Sequence, residues 1–189
     1  MNMNEKNEDC LTGECPEIIE DRSIDRIKLS EGSGGKEMHL LISKFSSDFY
    51  RSDKWKNLFD DSSSYDFGDK KLLFTTDSYI VTPIFFPGGN IGKIAFCGTV
   101  NDLAVLGAKP IGLSLSFVLE EGFSKKEFFE IVKTLSELSN KYKIPIVTGD
   151  TKVMEKGSVD KIIINTSGIG LADFILDKEI EVGDSVIVS

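Results

Sequence analysis

The stretch Val147-Thr148-Gly149-Asp150-Thr151-Lys152 joins an apolar segment to a small and charged one. Residues 144–147 predict a buried strand, because they form a short apolar run rich in β-branched side chains. The residues after them predict a polar turn, with a glycine that lets a ligand approach the backbone. Its carboxylate, hydroxyl and ammonium groups suit a phosphate and its magnesium ion. The alternative is an ordinary turn, which the preferences of Gly and Asp also favour.

Three further aspartates occupy comparable positions. Residues 71–78 predict a strand that ends in hydroxyls and Asp77, and the small-residue loop before it carries Asp61. Asp102 lies in a helical pattern, where a carboxylate among apolar neighbours is costly unless it meets a cation or faces water. Each aspartate alone is more often a solvated surface group. Together with Asp150, they predict a phosphate and metal site.

Helical periodicity alternates with strand-like segments along the chain. Asn90 and Ser124 are predicted helix caps, and Gly98 within a helix implies close packing against another element. Helices are predicted over 36–49, 90–106 and from 125 onward, and strands over 71–75, 79–82, 111–119, 144–148, 161–169 and 185–188. This alternation predicts an α/β or α+β domain with helices covering one face of a sheet.

Composition limits the possible functions. The 189 residues include 22 basic and 31 acidic side chains, for a net charge of −9, which argues against nucleic-acid or anionic-membrane binding. No apolar run has membrane-spanning length and the first residues do not form a secretory signal, so we expect a cytoplasmic protein. Cys10 and Cys15 do not have the spacing of a zinc knuckle, Cys97 is predicted to be core, and His39 has no evident partner, which argues against a zinc enzyme.

A series of motifs follows in chain order: Glu31-Gly32-Ser33-Gly34-Gly35, Phe74 to Tyr79, Phe85 to Lys93, Cys97 to Ala104, Phe117 to Gly122, Val147 to Lys152 and Ile164 to Gly170. This series resembles the hydrogenase maturation protein HypE family. HypE belongs to the aminoimidazole ribonucleotide synthetase-like (PurM-like) superfamily, together with selenophosphate synthetase and thiamine-monophosphate kinase. The Phe-Phe-Pro-Gly-Gly-Asn and Val-Leu-Glu-Glu-Gly segments favour HypE over its relatives.

The resemblance and the composition together imply a domain organisation. Residues 1–27 are charged and poor in core-forming side chains, which predicts a disordered acidic tail. Residues 28–175 are expected to form a PurM-like amino-terminal ATP-binding domain, with a mixed β-sheet that pairs with a second copy into a dimeric β-barrel. Residues 176–189 are expected to begin a truncated carboxy-terminal domain.

The family's activity is the ATP-dependent dehydration of a carboxy-terminal cysteine S-carboxamide to a thiocyanate, which supplies the cyanide ligands of nickel-iron hydrogenase. The implied partners are the carbamoyltransferase HypF and the HypC–HypD complex, and the implied cofactors are ATP and Mg²⁺. None of the three cysteines matches the family's terminal cysteine, and the last residue is Ser189. We therefore expect an ATP-binding, dimerising fragment that is inactive alone.

The resemblance also implies roles for individual residues. Lys152 is expected to hold a phosphate oxygen, and Glu120 or Glu121 is a candidate to take the amide proton, although an exposed acidic pair after a strand is the commoner explanation. The expected metal ligands are Asp61, Asp77, Asp102 and Asp150. The expected nucleotide-binding residues are Gly32, Ser33, Gly34, Gly35, Thr76, Asn101, Thr148, Gly149, Thr151 and Lys152.

Two other interpretations of the sequence stay open. One is a different PurM-like ATP-dependent enzyme, such as a kinase or synthetase, which would bind ATP but ignore a thiocarboxamide. The other is a non-catalytic domain that serves only for dimerisation or for docking other maturation proteins. Nucleotide binding separates the second interpretation from the enzymes.

Overall fold

The computed structural model describes residues 26–46, 48–58, 60–178, 180–185 and 187. The chain divides into two compact units, residues 1–50 and 51–189. In the first unit, a 3₁₀ turn over Leu29–Gly32 precedes helix α1, Lys36–Ser46, which ends before the predicted residue 49. None of the residues of α1 is buried. The predicted boundaries at residues 28 and 175 stay predictions, as does the tail, of which residues 1–25 lie outside the described residues.

The second unit is built on a six-stranded mixed sheet. Its strands are β1 (Trp55–Lys56), β2 (Ser63–Phe67), β3 (Lys70–Tyr79), β6 (Lys109–Glu120), β7 (Ile146–Met154) and β8 (Ile162–Ala172). A separate small hairpin consists of β4 (Phe85–Phe86) and β5 (Gly89–Asn90). The spatial order is β1-β2-β3-β8-β6-β7, with β6 and β7 parallel and the other pairs antiparallel. The predicted mixed sheet is therefore confirmed.

Two helices complete the second unit. Helix α2 (Ile91–Val105) begins at Asn90, whose side chain accepts a hydrogen bond from the Lys93 amide at 3.2 Å. Helix α3 (Lys125–Tyr142) begins at Ser124, which accepts from the Glu127 amide at 3.4 Å. Both predicted caps are confirmed. The principal core lies between these helices and the sheet, and includes Ile91, Phe96, Leu113, Phe117, Ile131, Leu135, Ile162 and Ile164.

Two predicted strand boundaries were wrong because strand pairing extends the strands beyond the local pattern. The predicted strand 71–75 extends to Tyr79 in the single strand β3, which pairs with β8 from Lys71 to Tyr79, and residues 80–82 of the predicted strand 79–82 belong to no strand. Strand β7 does not turn after residue 148, since it pairs with β6 as far as Met154. Of the predicted 185–188 strand, residues 186 and 188 lie outside the described residues, and residues 185 and 187 belong to no strand.

The sheet has two unlike faces. The helix face, covered by α2 and α3, carries buried residues such as Thr75 and Tyr79 of β3 and alternate residues of β8 from Ile162 to Ala172. The open face carries the residues between them, including Phe74, Thr76 and Asn165. Because successive side chains of a strand alternate, each site residue belongs to one face or the other.

Candidate functional site

Three of the four predicted aspartates come together beside α2. The Thr75 hydroxyl lies 2.8 Å from the Asp61 carbonyl and 3.1 Å from the Asp102 carboxylate, so it ties the loop before β2 to the helix. Ser62 donates to the Asp102 carbonyl at 2.7 Å. Asp77 follows Thr75 on the same face of β3 and is exposed. We call Asp61, Asp77 and Asp102 the acidic cluster.

The charges of Asp61 and Asp77 act on the Asp102 carboxyl. Burial raises the pKa of the Asp102 carboxyl, and the hydrogen bond from Thr75 lowers it. The neighbouring charges of Asp61 and Asp77 raise that pKa again. Bringing a cation to the cluster would relieve this repulsion, since an opposite charge nearby favours the ionised form. The arrangement is therefore suited to a cation.

The donor chemistry of the cluster fits magnesium, although the cluster is not a complete metal cage. Carboxylate and carbonyl oxygens are the ligands that Mg²⁺ prefers, and it commonly takes one or two carboxylates together with substrate phosphates. Among the described residues, no group of three or more His, Cys, Asp or Glu side chains is arranged to hold a metal ion by itself. Phosphate oxygens would have to supply the remaining ligands.

A polar band crosses the open face beside the cluster. The Asn165 amide donates to the Asp77 carbonyl at 2.9 Å and to the Ser78 hydroxyl at 3.0 Å. Thr76 accepts a hydrogen bond from the Ser167 hydroxyl at 2.9 Å. Of the predicted nucleotide-binding residues, Thr76 thus lies in this band and not in the acidic cluster. The band places hydroxyl and amide groups where they can meet a polar ligand or another sheet.

The residues of β7 are split between the two faces. Asp150 is the register partner of Ser116, which also pairs with Asn165, so Asp150, Thr148 and Lys152 lie on the open face. The Lys152 ammonium group is 3.0 Å from Asp150, and its hydrogen bond lowers the pKa of that carboxyl. Thr151 and Gly149 alternate to the other side. The expectation that this segment is a turn is therefore wrong, and the expected ligand-binding roles of its residues stay predictions.

The structure explains why residue 149 is a glycine, which the sequence did not reveal. A Cβ atom at this position would lie 2.2 Å from the Leu115 carbonyl oxygen on the neighbouring strand. The glycine thus lets the backbone of β6 approach, where we expected it to let a ligand approach. The parallel pairing of β6 and β7 depends on this contact.

Asp150 is remote from the acidic cluster within one chain. The row from Ser78 through Asn165 and Ser116 to Asp150 crosses three strand spacings, which amounts to about 14 Å. Asp77 pairs with Thr166 and lies on the helix face, opposite to the face that carries Asp150. The four predicted metal ligands therefore do not converge in a single copy.

The other predicted site residues lie elsewhere. The Glu120 carboxylate accepts a hydrogen bond from the Gly157 amide at 2.9 Å, which ties it to the turn between β7 and β8. Its neighbour Glu121 is exposed, and so is Asn101 on α2. The segment Gly32-Ser33-Gly34-Gly35 belongs to the first unit, where its residues are exposed. Their expected roles stay predictions.

Sequence reasoning missed several residues that shape the site. Thr75 and Ser62 hold the acidic cluster together, and Asn165 links three groups of the polar band. Thr75 stands beside the predicted Thr76, and strand alternation could have assigned it to the face of Asp77. Nothing local signals the contacts of Asn165, because its partners on β3 are far away in sequence.

Two further predictions concern the remaining residues. Cys97 is a free cysteine, partly buried against the principal core as predicted. His39 is exposed, and Cys10 and Cys15 lie outside the described residues.

In the stretches that the structure describes, no helix combines the length and apolar character needed to cross a membrane.

The mixed sheet and its helix layer define an α/β domain with carboxylates gathered at one place beside α2. The chain belongs to the AIR synthase related protein, N-terminal domain family, which it matches over residues 59–172. This match confirms the PurM-like fold expected from the sequence.

Within that family, the chain is similar to HypE proteins, as the motifs predicted. A carbamoyl dehydratase HypE of Rhizobium leguminosarum bv. viciae is 42% identical over 167 residues, covering 87% of this chain and 47% of that protein. The chain thus spans about half the length of the curated relatives it matches.

Solved structures agree with this similarity. A HypE–HypF complex aligns with a TM-score of 0.62 at 45% identity, covering 70% of this chain and 42% of that chain. HypE in complex with ATP aligns with a TM-score of 0.54 at 42% identity, covering 78% and 43%. A thiamine monophosphate kinase of Aquifex aeolicus shares the fold alone, with a TM-score of 0.55 at 19% identity and coverage of 79% and 45%.

Proposed function

We propose that the chain is the amino-terminal, ATP-binding part of a HypE-type carbamoyl dehydratase. The observation that carries this proposal is the acidic cluster, in which Thr75 joins the Asp61 loop to Asp102 beside α2, in a chain similar to HypE. In the proposed reaction, a cysteine S-carboxamide and ATP give a thiocyanate, ADP and phosphate. The carbonyl oxygen leaves with the phosphate, because an amide oxygen is a poor leaving group until it is phosphorylated.

The residues of this chain would bind and orient the nucleotide. Magnesium would neutralise charge on the transferring phosphoryl group, and the acidic cluster would hold it. Thr75 keeps Asp102 and the Asp61 loop in one place, so the carboxylates need little rearrangement on binding. The thiol that carries the carboxamide would come from a part of the protein that these residues do not include.

A second copy of the chain would complete the site. Asp150 and Lys152 lie far from the acidic cluster of their own copy and on the open face of the sheet. If two copies pair into the β-barrel that the resemblance implies, the β7 residues of one copy and the acidic cluster of the other would share one site. We propose a homodimer on this ground, with Lys152 holding a phosphate oxygen.

Other roles implied by the resemblance belong to the same proposal. One similar structure is a HypE–HypF complex, which supports HypF as a partner, and the HypC–HypD complex would receive the product. Glu120 is the proposed acceptor of the amide proton, although its bond to Gly157 gives it a structural task as well. The proposed location is the cytoplasm.

The proposal predicts that ATP binds only together with magnesium. Carboxylates repel a polyanion unless a cation lies between them. Calorimetric titration of the chain with ATP, with Mg²⁺ and then with excess chelator, measures this dependence.

Asp77→Asn should weaken binding about tenfold, which corresponds to about 1.4 kcal/mol. Glu130→Gln, an equal charge change on the exposed side of α3, is the control.

The same titration decides between the alternatives. Equal affinity in chelator would contradict a shared metal, and no ATP binding at all would favour a domain that only dimerises or docks. If Asp77→Asn unfolds the protein by circular dichroism, Asp77 is a structural residue. The kinase and synthetase interpretation has less support, because the similarity to the kinase is confined to the fold.

A further inference from the structure

A buried chain of hydroxyl groups lies beneath the acidic cluster. The Tyr79 hydroxyl is 3.2 Å from the Thr99 hydroxyl, which in turn bonds to the Thr166 hydroxyl. Thr166 also donates to the Ala95 carbonyl at 3.5 Å. The relative exposures of Tyr79, Thr99 and Thr166 are 9%, 0% and 1%. These three residues, which we call the hydroxyl chain, therefore have all their polar atoms inside the core.

The hydroxyl chain connects the elements that carry the carboxylates. Tyr79 lies on β3, two residues beyond Asp77 and on the same face. Thr166 on β8 is the register partner of Asp77. Thr99 lies on α2, about one turn before Asp102, so the two residues share a side of the helix. Any slide of α2 over the sheet that separated Asp102 from Asp77 would break the chain.

Two glycines bring the helix close enough for these bonds to form. A Cβ atom at Gly98 of α2 would lie 2.3 Å from the Tyr79 hydroxyl oxygen. A Cβ atom at Gly168 of β8 would lie 2.9 Å from the Thr99 methyl group. At each of these two positions a glycine faces a side chain of the other element, so the helix and the sheet approach one another more closely than two facing side chains would allow.

The hydroxyl chain differs from an apolar core in having polar atoms that must be paired. Phenylalanine and valine would fill the same volumes with no polar atoms to satisfy, and burying a hydroxyl group without a partner is costly. Hydrogen bonds differ from apolar contacts in having a direction, so a satisfied buried network selects one docking position. The selected position is the one that sets the separation of Asp77 and Asp102.

We infer that the hydroxyl chain Tyr79–Thr99–Thr166 is a positioning device that fixes Asp102 of α2 against Asp77 of β3 and thereby sets the magnesium dependence of nucleotide binding. This inference rests on the proposed function, since it concerns the same site. None of the three hydroxyls contacts the nucleotide in this scheme. They act through the two carboxylates that they hold in place.

The test compares magnesium dependence with stability in matched variants. ATP binding to the full chain is titrated over a range of Mg²⁺ concentrations, and thermal unfolding is followed without nucleotide. Tyr79→Phe and Thr99→Val each remove a hydroxyl, and each should raise the Mg²⁺ concentration for half-maximal binding about tenfold. Thr99→Ser keeps the hydroxyl and should stay within about twofold of the wild type.

Ser139→Ala supplies the structural control. Its hydroxyl donates to the Ile144 carbonyl at 2.7 Å at the far end of α3, away from the acidic cluster. This variant should lower the unfolding midpoint and leave the magnesium dependence unchanged. If Tyr79→Phe and Thr99→Val behave in the same way as Ser139→Ala, the hydroxyl chain is only structural and the inference is wrong.

The outcomes also separate this inference from the proposed function. A wild-type chain that does not bind ATP with Mg²⁺ overturns the proposed function, and the inference with it. A wild type that binds, with variants of unchanged magnesium dependence, overturns the inference alone. Should Thr99→Val fail to fold, Tyr79→Phe keeps the aromatic ring in the core and decides the question by itself.

Discussion

Asp102 shows how a single residue can be unfavourable for the fold and useful for binding. It places a carboxylate on a partly buried turn of α2, where burial and the charges of Asp61 and Asp77 raise its pKa. These influences oppose ionisation in the folded chain. Proteins commonly accept such a cost at binding sites, where perturbed carboxylates are concentrated. A stability measurement can therefore test the functional assignment.

Asp102→Asn should have opposite effects on stability and binding. Removing the charge relieves repulsion, which should stabilise the metal-free protein by about 0.5 kcal/mol because water still screens the group. It should also weaken binding of ATP with Mg²⁺ about tenfold. Thermal unfolding without metal and calorimetry with metal measure the two effects, with Glu130→Gln as the control for a charge change.

The difference in stability between Asp102→Asn and the wild type should depend on pH. The pKa of Asp102 is raised in the folded protein, so protonation favours the fold. Below the ordinary value of 3.8 the carboxyl is neutral in both states, and wild type and Asp102→Asn should be equally stable. The advantage of the variant should appear as the pH rises through the raised pKa. A variant that is less stable at neutral pH would make Asp102 structural.

At the scale of the elements, local signals predicted the helices better than the strands. Asn90 and Ser124 cap α2 and α3 as predicted, because a cap and an apolar repeat are contained in a few consecutive residues. The length of β7 depends on its partner β6, which lies about thirty residues earlier, so no local pattern marks its end at Met154. The same extension changed the predicted turn around Asp150 into a strand.

The sequence predicted the residues of the acidic cluster but not the separate position of Asp150. The sequence identified Asp61, Asp77 and Asp102 as carboxylates of one kind, and the structure brings these three together. It could not reveal that Asp150 lies apart, because this separation depends on the insertion of β8 and β6 between β3 and β7. Which face a residue occupies follows from the register, and the register is a property of the whole sheet.

The contact between α2 and β3 predicts the effect of Gly98→Ala. The new methyl group would lie 2.3 Å from the Tyr79 hydroxyl, and overpacking of this kind costs about 1–3 kcal/mol. The higher helix propensity of alanine offsets about 1 kcal/mol of that cost. We therefore expect a net loss of stability in chemical denaturation, because the clash is with the polar end of a buried ring.

A double-mutant cycle with Tyr79→Phe checks this explanation. Removing the hydroxyl takes away the atom nearest to the new methyl group, although the ring carbons remain at 2.9 Å. The double variant should therefore be more stable than the sum of the single effects implies. Additive effects would mean that Gly98 is needed for a reason other than its contact with Tyr79.

At the scale of the whole molecule, the open face is incompletely covered by its own chain. Phe74 is 42% exposed there, and Val147 on the edge strand β7 is 59% exposed. Strand β7 also has an outer edge that pairs with no described strand. Exposed sheet edges and apolar faces favour pairing with another chain. These features agree with the homodimer proposed above.

The homodimer makes a prediction about association. Phe74→Glu should raise the dimer dissociation constant at least about tenfold, because it replaces an apolar side chain between the paired open faces with a charge. Sedimentation equilibrium measures the constant, and circular dichroism checks that the variant is folded. Phe129→Glu changes an apolar residue on α3 that is 63% exposed, and it should leave association unchanged. A monomeric wild type would contradict the proposed dimer.

The position of β8 has a consequence for how the protein is made. This strand is the last of the sheet in sequence, yet it lies between β3 and β6. During synthesis, β3 and the β6–α3–β7 segment leave the ribosome before the strand that joins them exists. Pairings between distant segments form slowly, and strands that are not yet paired are prone to aggregate. The nascent chain therefore carries two separate half-sheets until translation has passed Ala172, and only then can it close into one domain.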